Sequence, residues 1–123
     1  MFSRDYLLRQ IQQFVQAIAL VLLRKKAGQA EVAQSIIHNT LMDVLGLSLD
    51  QVRDLDREAL LALVSPGGAL RHDLAVAAAD LLAEDESAEG RLRAAWLYEA
   101  VLEDGGPVPF DVHERIEELK AGQ

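Results

Sequence analysis

This chain of 123 residues contains no cysteine, so any chemistry in it rests on histidines, carboxylates, hydroxyls or amines. That excludes a thiolate nucleophile, a Cys-based zinc site and a disulfide scaffold. The histidines His38, His72 and His113 are far apart, and none has a second histidine at metal-ligand spacing. No metal site is expected from them. His72 beside Asp73 reads as a local polar contact near a helix start, and His113 beside Glu114 as a solvated pair. Carboxylates gather at Glu84, Asp85, Glu86 and Glu89, and again at Glu99, Glu103 and Asp104. General acid–base catalysis needs carboxylates held in separated environments within one pocket. These fall at a helix end and on outer faces, and read as solvated charge. Asp80 and Glu84 share one helical face and could hold a cation only with ligands from a second helix. No nucleophile elbow, phosphate loop, dinucleotide fingerprint or calcium loop occurs. Gly67-Gly68 and Gly105-Gly106 each adjoin a proline and read as turns. The expectation is a non-enzyme with no catalytic residue, cofactor or metal.

The elements that would position these groups are helices. Leu and Ala supply 39 residues, against 16 for Val, Ile and Thr together, and Leu and Ala lose little rotamer freedom in a helix. Half of the residues are hydrophobic, which excludes a disordered tail. The length suits one domain. A formal net charge of −8 argues against nucleic acid, whose binding needs a basic footprint. The charge is uneven. Residues 1–26 carry five basic side chains and one acid, and the remainder carries seven basic and nineteen acidic. Either Arg24-Lys25-Lys26 offset the negative end of the first helix dipole, or this basic end docks on something acidic, the protein's own second half or a partner.

Periodicity predicts six helices and no strand, with one or two short helices between residues 48 and 64. Ser3 can cap the first, Asp5 sits in its first turn, and Phe2 can staple onto Leu7. Its apolar stripe is Leu7, Ile11, Phe14, Ile18 and Val21, with Leu8, Val15 and Leu22 alongside; Asp5, Arg9, Gln12, Gln13 and Gln16 form the wet face. From Ala17 to Leu23 no residue is polar, so that half is expected to be surrounded, with Ile18 and Leu20 in the densest core. After Gly28 a second helix, about Ala30 to Leu45, turns Val32, Ala33, Ile36, Ile37, Thr40, Leu41, Val44 and Leu45 inward and stops at Gly46. Ser48 with Gln51 reads as a capping box for a short turn, and Asp56 as the cap of a short helix, Arg57 to Val64. Ser65-Pro66-Gly67-Gly68 breaks the chain. A fourth helix is expected from about Ala69 to Ala88, a tight turn at Gly90, and a fifth from Arg91 to Asp104. After the loop at 105–109, Phe110 reads as a staple and Asp111 with Glu114 as a second capping box for the last helix, which buries Val112, Ile116 and Leu119. The expected architecture is all-α, five to six helices in one domain over 1–123. It comprises a long helical hairpin (1–46), a short-helix insertion (47–68), and a second hairpin plus C-terminal helix (69–123).

Two helix pairs repeat a pattern. Ala33, Ile37, Thr40 and Leu41 match Ala94, Tyr98, Val101 and Leu102 in spacing, as in the second helix of a tetratricopeptide-type pair. The small residue lets two helices approach and the large one fills the groove to the next pair. The copies lie 61 residues apart, against a usual spacing of ~34, so 42–68 reads as an insertion. The opening Phe2-Ser3-Arg4-Asp5-Tyr6-Leu7-Leu8-Arg9-Gln10-Ile11, the segment Val44-Leu45-Gly46-Leu47 and the tail Tyr98-Glu99-Ala100-Val101-Leu102 resemble a family of short bacterial all-helical proteins with a degenerate tetratricopeptide-like repeat. The resemblance spans nearly the whole chain. It implies the helical fold and a bacterial cytoplasmic origin, and it brings no activity.

The expected function is protein–protein interaction by a non-enzymatic helical-repeat protein, including self-association as a homodimer through Leu7, Ile11, Phe14, Ile18 and Val21. Trp96, which cannot face the same way as Tyr98, is a candidate partner anchor if exposed; packing under the final helix is the other reading. The alternative function is a peripheral membrane protein using the basic, apolar first helix. The apolar run from Phe14 to Leu23 is about half of the ~20 residues a span needs, and no cleavage site follows it, so a cytoplasmic protein is expected.

Overall fold

The computed structural model describes residues 4–122. It is all-helical, with seven helices and no strand among the described residues: α1 (Arg4–Lys26), α2 (Ala30–Leu45), α3 (Leu49–Arg53), α4 (Arg57–Leu63), α5 (His72–Leu82), α6 (Ala88–Glu103) and α7 (Val112–Lys120). The seventh helix is α3, the segment expected as a turn. The Ser48 side chain accepts from the Gln51 backbone while Gln51 caps Ser48 in return, and that closes a helical turn. Asp56 caps α4 through the Ala59 N–H at 2.8 Å. Gly46 ends α2 in the left-handed region at φ 75°, its N–H bonded to the Met42 carbonyl. The expected roles of Phe2 and Ser3 lie outside the described residues.

α1 packs on α2 and on α5, and α6 lies among α5, α7, α3 and α4. α1 and α2 run antiparallel, since buried Gln10 near the start of α1 donates to the Val44 carbonyl near the end of α2 at 3.2 Å. That bond satisfies one of the free carbonyls at a helix C-terminus. His72 Nε2 lies 2.6 Å from Asp104 Oδ2, tying the start of α5 to the end of α6. The core is continuous: Phe14, Val21, Ile37, Leu41, Leu81, Leu97 and Tyr98 are all fully buried. Ala75, Ala78, Ala79, Ala94 and Ala95 are buried with them, as the close approach of α5 and α6 requires.

Several expectations are corrected. Leu20, Leu22 and Leu23 are exposed and Ile18 is only half-buried, because α1 has neighbours on one side and no more. Val32 is exposed rather than inward. Phe110 is fully exposed and staples nothing. Asp111 makes no capping bond; its Oδ2 accepts from Arg115 Nε at 3.1 Å instead. The fourth expected helix is shorter, since α5 ends at Leu82 and Ser87 starts α6 as its N-cap.

Gly90 lies inside α6, not in a turn. A Cβ there would meet Asp85 Oδ2 at 1.8 Å, so the bare glycine makes room for that carboxylate. Gly→Ala inside a helix ordinarily gains about 1 kcal/mol. Gly90→Ala is expected to destabilise instead, by at least that much, because the clash displaces Asp85 from its partners. A urea midpoint at or above that of the wild type would contradict the packing described.

Candidate functional site

The expected charge run at 84–89 is not uniformly solvated. Asp85 is 2% exposed, because the chain leaves α5 and points its side chain back under the α5–α6 turn. Arg53 of α3 reaches it twice, Nε to Oδ2 at 2.9 Å and Nη2 to Oδ1 at 2.7 Å. Gln34 of α2 donates at 2.8 Å and Ser87 at 2.8 Å. Burial by itself would raise the Asp85 pKa; the hydrogen bonds from Arg53, Gln34 and Ser87 and the Arg53 charge outweigh it and hold the group below its usual value. Every partner is a donor within the chain, so the group is a structural knot.

A second polar cluster lies in an open cleft of about 560 Å³ among α1, α5, α6 and α7. At its floor the buried Tyr98 hydroxyl donates to Asp80, and Arg115 Nη1 lies 3.3 Å from that hydroxyl and 3.4 Å from Asp80 Oδ1. Burial is the main cause raising both the Asp80 carboxyl and the Tyr98 phenol above their usual values, and the Asp80 hydrogen bond adds to it at Tyr98. Asp80 and Glu84, which share one helical face, are engaged separately. Asp80 is taken by Tyr98 and Arg115, and Glu84 by Lys25, whose Nζ lies 3.0 Å from Oε1. The basic end of α1 therefore docks on the protein's own second half. Among the described residues no group of three or more His, Asp or Glu side chains is placed to hold a metal.

The residues expected as a self-association stripe divide. Leu7, Phe14 and Val21 face the core, which corrects their assignment to an outer surface; α2 and α5 cover that side. Ile11 and Ile18 are half-buried at its margin. What α1 turns outward includes the neighbouring row, Leu8, Val15, Ala19 and Leu22, with Tyr6, Leu20 and Leu23 exposed beside it. Sequence periodicity places both rows on one broad apolar band, and only tertiary packing selects between them. Trp96 is half-buried against the core, with the Arg93 guanidinium 4.6 Å from its ring centroid. Arg93 is itself held by the Leu55 carbonyl at 2.8 Å, so part of the indole is already engaged within the chain. α1 is long and apolar enough to cross a membrane, the one such helix among the described residues. Its most apolar stretch remains Phe14 to Leu23, of which Phe14, Ala17 and Val21 are buried in the core.

The fold and these sites define an all-α helical protein. No protein-family model matches the chain, and neither does any curated protein or solved structure compared with it.

Proposed function

We propose that this is a non-enzymatic, cytoplasmic helical-repeat protein that acts by binding another protein chain through the outward face of α1. The observation that carries the reading is the row Leu8, Val15, Ala19 and Leu22, exposed along a helix whose other side is core. Apolar side chains gathered in one strip, rather than scattered singly, are the usual mark of an interface. Burial of Ala33, Ile37 and Leu41 in α2, and of Ala94, Tyr98 and Val101 in α6, supports the degenerate tetratricopeptide-like repeat. Ion pairs that close within the chain, Asp85 with Arg53 and Asp80 with Arg115, favour a structural use of those groups over catalysis.

The second reading, a peripheral membrane protein, is favoured by the length and apolarity of α1. Against it, full insertion of α1 would withdraw Phe14, Ala17 and Val21 from the core. The test uses the full chain immobilised on beads and exposed to a bacterial lysate, beside a Val15→Glu variant, with co-sedimentation on anionic vesicles in parallel. Capture by the wild type, at least ten-fold reduced in Val15→Glu, with background sedimentation, is the expected result. Salt-sensitive sedimentation with no Val15-dependent capture would replace this reading with the membrane one.

A further inference from the structure

We propose that the partner seated on the outward face of α1 is a second copy of this chain, lying antiparallel with Val15 at the two-fold axis. The inference rests on the association reading above and deepens it. Along the exposed face, alternating steps of three and four residues pick out Asp5, Leu8, Gln12, Val15, Ala19, Leu22 and Lys26. All of them are solvent-exposed. This is the spacing at which two helices mesh along a seam, and α1 has no glycine or proline to interrupt it.

The order of residues on the seam selects the partner and its direction. With Val15 opposite Val15, an antiparallel copy sets Leu8 against the partner's Leu22 and Gln12 against the partner's Ala19. Asp5 then falls against the partner's Lys26. Each pairing occurs twice, as a two-fold contact demands. Large side chains meet large ones, the amide meets a methyl, and the seam positions at the two ends, Asp5 and Lys26, are of opposite charge. A parallel copy would oppose Asp5 to Asp5, Gln12 to Gln12 and Lys26 to Lys26, with like charge at both ends. Ile11 and Ile18, half-buried on the α5 side of the seam, extend the apolar contact on one flank. On the same flank the partner's Arg4 arrives beside Lys25, whose charge is already matched by Glu84. A lipid surface would not explain the charge order. Asp5 would face anionic headgroups, and nineteen acids against seven bases in the remainder of the chain would be repelled.

One pair of helices makes a small interface, under about 1,200 Å², so the assembly is read at micromolar concentration and above. The natural absence of cysteine permits a direct test by single-cysteine variants of the full chain. Sedimentation equilibrium of the wild type should show a concentration-dependent dimer. On mild oxidation, Val15→Cys should become a covalent dimer, because paired residues at the axis come within disulfide reach. Leu8→Cys and Leu22→Cys should each form no covalent dimer when oxidised alone, and should cross-link when mixed. Asp5→Lys should weaken the dimer about three- to ten-fold, as expected for two exposed ion pairs turned repulsive. Combining it with Lys26→Asp should restore the affinity. These positions are exposed, and unchanged circular dichroism of each variant would exclude misfolding as the cause. Cross-linking of Leu8→Cys with itself would overturn the antiparallel arrangement. A wild-type monomer across the concentration range would overturn the second copy as partner, while Val15-dependent capture of a different protein on beads would leave the association reading standing. Vesicle binding without dimerisation would overturn both.

Discussion

Asp85→Ala is expected to remove about 3–5 kcal/mol of stability, the usual result of breaking a buried ion pair from one side. For a domain whose whole stability is about 5–15 kcal/mol, that is the difference between a folded and a marginal protein. The size follows from what is left behind. Arg53, with only 22% of its side chain exposed, loses both hydrogen bonds to Asp85 at once and keeps only the exposed Asp50. Gln34 and Ser87 lose an acceptor each. The knot also joins α2, α3 and the α5–α6 turn, so its loss loosens three segments far apart in sequence. The acid limb of the stability curve gives a second readout. The folded-state pKa of Asp85 is depressed, so its contribution is complete above the unfolded value of about 3.9. It is lost as pH falls through the lower folded value. Asp80 acts in the opposite sense, since burial raises its pKa in the fold and protonating it relieves that cost. Urea titrations at several pH values should therefore show a steeper acid loss in the wild type than in Asp85→Asn. Parallel acid limbs, or an Asp85→Ala midpoint within error of the wild type, would mean the knot contributes little.

The Asp85 knot could not be read from the chain, and the reason is specific. Glu84-Asp85-Glu86 looks the same whether its middle residue is wet or dry, and its partners lie 32 and 51 positions away. Gly90 carries no local sign that it clears space for a carboxylate. By contrast, the Ser48–Gln51 box, the Asp56 cap and the Gly46 stop are decided by residues within one turn, and all three form as the sequence indicates. The helix-forming composition and the breakers at 65–68 make the all-α class legible for the same reason. The outward face of α1 stands between these cases. Its apolar band is plain in the sequence, but which edge turns inward depends on α2 and α5, and local spacing reaches neither. Trp96 is similar. Its opposition to Tyr98 around α6 is legible, whereas the Arg93 stacking that occupies its face depends on an anchor at Leu55.

The same choice of edge sets the second large effect. Phe14→Ala should cost about 3–5 kcal/mol, because Phe14 is fully buried and its neighbours on α1, α2 and α5 can collapse only in part. Leu20, six residues along the same helix, is 45% exposed, and Leu20→Ala should cost no more than about 1 kcal/mol. A stripe read from apolar content alone would rank these two positions together. Their separation in urea midpoint measures how α1 is rotated. Equal losses at the two sites would place α1 in a different rotation, and the seam through Leu8, Val15 and Leu22 would fall with it. Val15→Ala completes the comparison, because Val15 is 55% exposed. In dilute solution, below the dimer concentration, it should leave the midpoint nearly unchanged. At higher concentration it should weaken association by several-fold, since each dimer loses four γ-methyl groups at its centre. A stability loss at Val15 that does not depend on concentration would put that residue in the monomer core and remove the surface on which the association depends.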